Sequence, residues 1–173
     1  MQSNALRESL LIVDDEEFIL DLLKRQLQPS GYNIFSATSG EVGLQIVRTQ
    51  QVGVIISDQS MPGMDGITFL NQVRDIDDEV VLIMLTGNGT LEHAVTAINQ
   101  LQIFSYIMKP WSMPVLQSMI KDAFKHYEMT TLYRKTLKRT HQLNEHLTKE
   151  NRKLEERIKE LEMKLEKLHG TRL

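Results

Sequence analysis

Five polar residues stand where apolar runs stop. SLLIVDD (residues 9–15) ends on Asp14 and Asp15, VGVIISD (52–58) on Asp58, VVLIMLT (80–86) on Thr86, and FSYIMKP (104–110) on Lys109 and Pro110. A buried strand gains nothing from ending on a carboxylate, so these residues either cap loops or are presented for chemistry. Three carboxylates gathered within a few ångströms repel and raise one another's pKa unless a cation sits among them. Donors that are all oxygen, with no His or Cys nearby, favour a hard ion, Mg²⁺ above Zn²⁺. A lysine opposite that ion completes a pocket for a tetrahedral anion, and a threonine hydroxyl can donate to one of its oxygens. A carboxylate in that company is a nucleophile for phosphoryl transfer, and the product is an aspartyl phosphate. Capping and solvation account for any one of the five; they do not account for all five together.

Positioning them requires one rim. After SLLIVD, Phe18, Leu22, Leu23 and Leu27 recur at helical spacing until Pro29-Ser30-Gly31 stops them. YNIFSA (32–37) precedes a helix around Val42, Leu44, Ile46 and Val47. VGVIISD leads through a Pro-Gly turn into a helix with Ile67, Leu70 and Val73. VVLIMLT precedes one with Leu91, Val95, Ile98 and Leu101, and FSYIMK precedes the last, which begins near Ser112-Met113-Pro114. Near-continuous apolar strands separated by helices predict an α/β fold, a parallel sheet covered on both faces with right-handed crossovers. Five βα units fit the doubly wound, flavodoxin-like order 2-1-3-4-5, which sets the carboxyl ends of strands 1 and 3 side by side at the switch point.

Composition narrows the class. Hydrophobic residues make up 41% of the 173, enough for a core, and the absence of cysteine excludes disulfides and thiolate chemistry. No apolar run approaches a membrane span and the N-terminus lacks a signal-peptide layout, so the cytoplasm is the expected compartment and no membrane partner is expected. Residues 1–127 carry 8 basic and 15 acidic side chains, net −7; residues 128–173 carry 12 and 8, net +4. That asymmetry suggests two segments, 1–127 and 128–173, with different jobs.

The motifs IVDDEE, ISDQSMPGMDG, LTGNG and YIMKPW, in this order and spacing, resemble the receiver domain of bacterial two-component response regulators over residues 8 to about 127. The resemblance implies Asp58 as phosphoacceptor, charged by a sensor histidine kinase or phosphotransfer protein. It implies Mg²⁺ held by Asp15 directly, by Asp14 mainly through water, by Asp58 and by the backbone carbonyl of Ser60. Thr86 is similar to the family's switch hydroxyl, Tyr106 to its rotating aromatic and Lys109 to its phosphoryl-binding lysine. The bond before Pro110 is usually cis in the family, which would aim Lys109 inward. Residues 61–66 would shape the loop above the phosphorylation site, Gly87 would leave its mouth open, and Ser60 and Asn88 lie where the family tunes dephosphorylation. No separate enzyme is expected beyond Mg²⁺-dependent self-phosphorylation and self-dephosphorylation. There is no Walker loop, nucleophile elbow or zinc motif, and Ser60 stands where an aspartate-based phosphohydrolase wants a second aspartate.

From Val115 to His169 there is neither Pro nor Gly. Positions 137, 140, 144, 147, 151, 154, 158, 161, 165 and 168 alternate in steps of 3 and 4. Leu147, Leu154, Leu161 and Leu168 fall at d, and Asn144 and Asn151 at a, the device that favours a parallel two-stranded register. Arg157 would face Glu162 of a second copy, and Glu150 would face Glu155 unfavourably. The pattern predicts a parallel coiled-coil homodimer through 137–168, rather than a lone charged helix, built on a helix from Met113 to His169 about 85 Å long. Phosphorylation would then repack the fourth helix, fifth strand and fifth helix, and so reshape the stalk toward an effector domain or protein partner after the coil. The basic stretch YRKTLKR (133–139) offers an alternative, a DNA-binding dimer using 134–139 ahead of the leucine seam, but it lacks the usual asparagine-containing base-reading pattern. His141 and His146 lack the acidic-then-proline sequence of a kinase phosphoacceptor helix and, five apart, share no metal-binding face. Trp111 is expected to anchor the last helix.

Overall fold

The computed structural model describes residues 8–87 and 102–170. The expected helix carrying Leu91, Val95, Ile98 and Leu101, and Asn88 with it, lies outside the described residues, as do the side chains of Glu166 and Leu168. Strands β1 (Ser9–Val13), β2 (Asn33–Ala37), β3 (Val54–Asp58), β4 (Val81–Thr86) and β5 (Ser105–Met108) form one sheet in the order β2-β1-β3-β4-β5, parallel throughout. Helices α1 (Glu17–Leu27), α2 (Gly40–Thr49), α3 (Gly66–Ile76) and α4 (Met113–Gly170) accompany it. The flavodoxin-like order expected from the sequence is the order observed.

Strand pleating sends alternate side chains to opposite faces, and both faces are covered. Leu11, Val13, Ile55, Leu82 and Met84 pack with Leu44, Val47, Phe69, Leu70 and Val73 of α2 and α3. Leu10, Ile12, Ile56, Ile83 and Ile107 pack with Leu20, Leu23 and Leu27 of α1 and with Leu116, Ile120, Ala123 and Phe124 of α4. Two positions counted into the helical stripes lie outside: Phe18 is 74% exposed and Val42 is 40% exposed. Each stands at the start of its helix, where Leu20 and Leu44, two residues on, take the inward position.

The chain divides into two compact units, Met1–Thr131 and Leu132–Leu173, and α4 contributes residues to both. In the first, Thr131 is buried and its hydroxyl donates to Glu79 Oε2 at 3.3 Å. In the second, Leu137, Leu143, Leu147, Leu154, Ile158, Leu161 and Leu165 are all exposed. Pairs along the helix, Lys153–Glu150 (2.8 Å), Arg157–Glu160 (2.5 Å) and Lys164–Glu160 (2.6 Å), join its polar positions. None of the described helices is long and apolar enough to cross a membrane.

Candidate functional site

Strand order makes the site. Because β1 and β3 are neighbours and Val13 pairs with Ser57, Asp14 and Asp58 emerge one step further along, side by side. Lys109 comes from the far edge: its N–H donates to the Thr86 carbonyl at 2.7 Å, which carries its side chain back toward β3. Its ammonium lies 2.9 Å from Asp14 Oδ2 and 2.5 Å from Asp58 Oδ1. The remaining carboxylate oxygens are held by backbone. Asp14 Oδ1 accepts the Glu16 N–H at 2.9 Å and Asp58 Oδ2 accepts the Ser60 N–H at 2.7 Å. Asp14, Asp58 and Thr86 are buried, whereas Asp15 and Ser60 are exposed. The Lys109–Pro110 peptide bond is cis, and Trp111 behind it packs against the α1–α4 side of the core.

The electrostatics follow from burial. Desolvation pushes the Asp14 carboxyl above its ordinary value, outweighing the Lys109 and Glu16 hydrogen bonds that favour its ionised form. Desolvation also works against the Lys109 ammonium, but its bonds to Asp58 and Asp14 and their charges prevail, and its pKa rises. One ammonium therefore serves two buried carboxylates, and Asp15, the next residue after Asp14, is exposed. Among the described residues no three acidic or histidine side chains already stand together as a metal cage. The donor chemistry nonetheless fits a hard divalent cation: every ligand is oxygen, and the anionic charge exceeds what Lys109 balances.

The loop after β3 is shaped by close approach. A Cβ on Gly66 would lie 2.1 Å from the Asp58 carbonyl oxygen, so only glycine allows α3 to start there. Gly63 has φ +77°, and the Asp65 carboxylate caps α3 by accepting the Thr68 N–H at 2.7 Å. Among the described residues, a Cβ on Gly87 would meet nothing within 4 Å. Tyr106 is half-buried against the α2–α3 side of the core, and its hydroxyl donates to Gln59 Oε1 at 2.6 Å. Gln59 has no place in the sequence-level reading; its only signal was its position directly after Asp58.

Residues 10–121 match the response regulator receiver domain family. The transcriptional regulatory protein GlrR of Escherichia coli (strain K12) is 34% identical over 116 residues, covering 67% of this chain and 26% of that protein. Sporulation initiation phosphotransferase F of Bacillus subtilis (strain 168) is 32% identical over 122 residues, covering 70% of this chain and 94% of the relative. The solution structure of the beryllofluoride-activated NtrC4 receiver domain dimer superposes with a TM-score of 0.66 at 31% identity, covering 69% of this chain and 98% of that one. The chain thus spans about a quarter of GlrR but nearly all of the Bacillus relative. The family match, the sheet order and the carboxylate–lysine cluster at the strand ends agree, and the chain belongs to the response regulator receiver domain family.

Proposed function

We propose that this chain is a phosphorylation-controlled signalling receiver, in which Asp58 takes a phosphoryl group from a sensor histidine kinase or a phosphotransfer protein. The observation that carries the reading is the Lys109 ammonium shared between Asp14 and Asp58. The Ser60 N–H fixes one oxygen of Asp58 and leaves Oδ1 facing Lys109 as the attacking atom. As the Oδ1–P bond forms, the P–N bond to the donor imidazole breaks and its electron pair stays on the imidazole. Lys109 offsets the negative charge of the incoming phosphoryl oxygens, and the Thr86 hydroxyl donates to one of them. Asp14, Asp15, Asp58 and the Ser60 carbonyl would hold Mg²⁺, which supplies further positive charge to the phosphoryl oxygens when bound. Tyr106 then fills the space that Thr86 leaves. The same set accounts for self-phosphorylation from small donors and for self-dephosphorylation.

Residues 1–127 are the receiver in this reading and 128–173 the dimerisation and signalling helix. The exposed stripe Leu147, Leu154, Ile158, Leu161 and Leu165 supports pairing with a second copy through 137–168, because burying each such side chain is worth about 1.5–3 kcal/mol. The stalk passes the signal to an effector domain or a protein partner beyond it. The basic stretch 134–139 has no structural observation in its favour as a DNA reader.

Trp111, the only tryptophan, neighbours Lys109 through Pro110 and reports on the site. With Mg²⁺ present, titration with beryllofluoride, a phosphoryl mimic, is expected to change Trp111 fluorescence saturably in the wild type and not in Asp58→Ala. Equal responses in both proteins, or none in the wild type, would overturn the phosphoacceptor assignment.

A further inference from the structure

One contact beside the site is not used by the phosphoryl chemistry: Tyr106 Oη donates to Gln59 Oε1 at 2.6 Å. Gln59 is held by its backbone on both sides. Its N–H donates to the Leu85 carbonyl at 2.9 Å, and its own carbonyl accepts the Gly66 N–H at 2.9 Å. The base of its side chain therefore cannot shift without breaking the link to β4 or opening the 61–66 loop. A half-buried amide oxygen fixed in this way is a stationary acceptor for the phenol.

Among the described residues the Tyr106 hydroxyl is anchored by Gln59, while its ring rests on the α2–α3 side of the core and its backbone pairs with Met84. The polar and apolar parts of its environment can therefore be altered separately. Gln59 joins directly to Asp58, and the next N–H along, that of Ser60, holds Asp58 Oδ2. A displacement of the Asp58 carboxylate reaches Gln59 through one peptide unit and reaches Tyr106 through one hydrogen bond.

We infer that Gln59 is a positioning residue that latches the Tyr106 ring toward the loop carrying Asp58, so that the occupancy of Asp58 and the place of the ring form one equilibrium. This rests on the reading of Asp58 as phosphoacceptor and Tyr106 as switch ring. Filling the space that Thr86 leaves takes the ring off Gln59, so releasing the latch strengthens binding of the mimic. Leucine at position 59 has similar size but cannot accept; glutamate can.

The test uses the full chain with ¹³Cζ-labelled tyrosine, the Tyr106 signal being identified by its loss in Tyr106→Phe. Gln59→Leu is expected to move that signal, and Gln59→Glu to retain it. Gln59→Leu and Tyr106→Phe are each expected to strengthen beryllofluoride binding, read by Trp111 fluorescence, by roughly fivefold, the factor one intramolecular hydrogen bond supplies. The double variant is expected to bind no tighter than either single one. An unmoved Tyr106 signal in Gln59→Leu, or two factors that multiply, would overturn the latch. If the wild type fails to bind the mimic at all, the phosphoacceptor reading falls, and the Tyr106 signal alone decides the latch: moved by Gln59→Leu and retained by Gln59→Glu, it stands; unmoved, it does not.

Discussion

Lys109 is the residue on which two buried carboxylates depend, and the arrangement costs the fold something. Asp14 is fully buried and its pKa is raised by desolvation. A raised folded-state value means that the contribution of Asp14 to stability is present below the ordinary carboxyl value of 3.8 and is lost as pH rises through the folded value. At neutral pH the buried charge therefore works against folding, although Lys109 mitigates it. Asp14→Asn keeps an acceptor for Lys109 and removes the charge. In Mg²⁺-free thermal melts it is expected to raise the midpoint at neutral pH by about 2–4 °C, with the gain disappearing toward acid, and to weaken Mg²⁺ binding. A variant less stable than the parent at neutral pH would show that the ion pair outweighs desolvation. Which of the adjacent aspartates goes inside was not legible in DD: Asp14 is buried, held by Lys109 and the Glu16 N–H, whereas Asp15, one residue further past the strand, is exposed.

At the scale of elements, the C-terminal helix carries two kinds of interaction that compete for the same residues. Arg157 reaches Glu160 on its own helix, whereas the heptad pattern offers it Glu162 of a second copy. The intrahelical pairs are worth only a few tenths of a kcal/mol each, so they support the helix without preventing the rearrangement. The apolar stripe is stronger and less specific. In the proposed coil, Asn144 and Asn151 trade stability for a defined two-stranded register. Replacing Asn151 with leucine should raise the thermal midpoint of the coil while loosening its stoichiometry, seen by sedimentation as species larger than dimer. A variant that stays strictly dimeric at unchanged stability would mean that position 151 does not face the seam.

Over the whole molecule, one long helix supplies residues both to the core beneath the sheet and to the exposed leucine stripe. The chain is free of cysteine, so a single Leu154→Cys substitution reports pairing of the stalk by disulfide formation. Light scattering is expected to show a dimer with and without the mimic, the stripe holding the pair together. The rate of cross-linking through the introduced thiol is expected to change when Mg²⁺ and beryllofluoride are added. Adding Thr86→Ala should weaken mimic binding and, at saturating mimic, abolish that change, because in the proposed mechanism its hydroxyl couples the site to Tyr106. A response retained in Thr86→Ala would route the signal elsewhere.

The alternation of five apolar runs with helical patterns pointed to a parallel sheet, and the doubly wound pattern that five such units fit supplied its order and the rim on which the chemistry stands. Strands buried on both faces must be apolar throughout, and that requirement is written locally. The same runs end on Asp14, Asp58, Thr86 and Lys109, so the residue types at the site were legible too. What only the tertiary structure decided is which side chains meet. Lys109 binds Asp14 across 95 positions, and Tyr106 binds Gln59 across 47. Periodicity records which face a residue presents to its own element. It holds no information about partners that become neighbours only when separate strands close into one sheet.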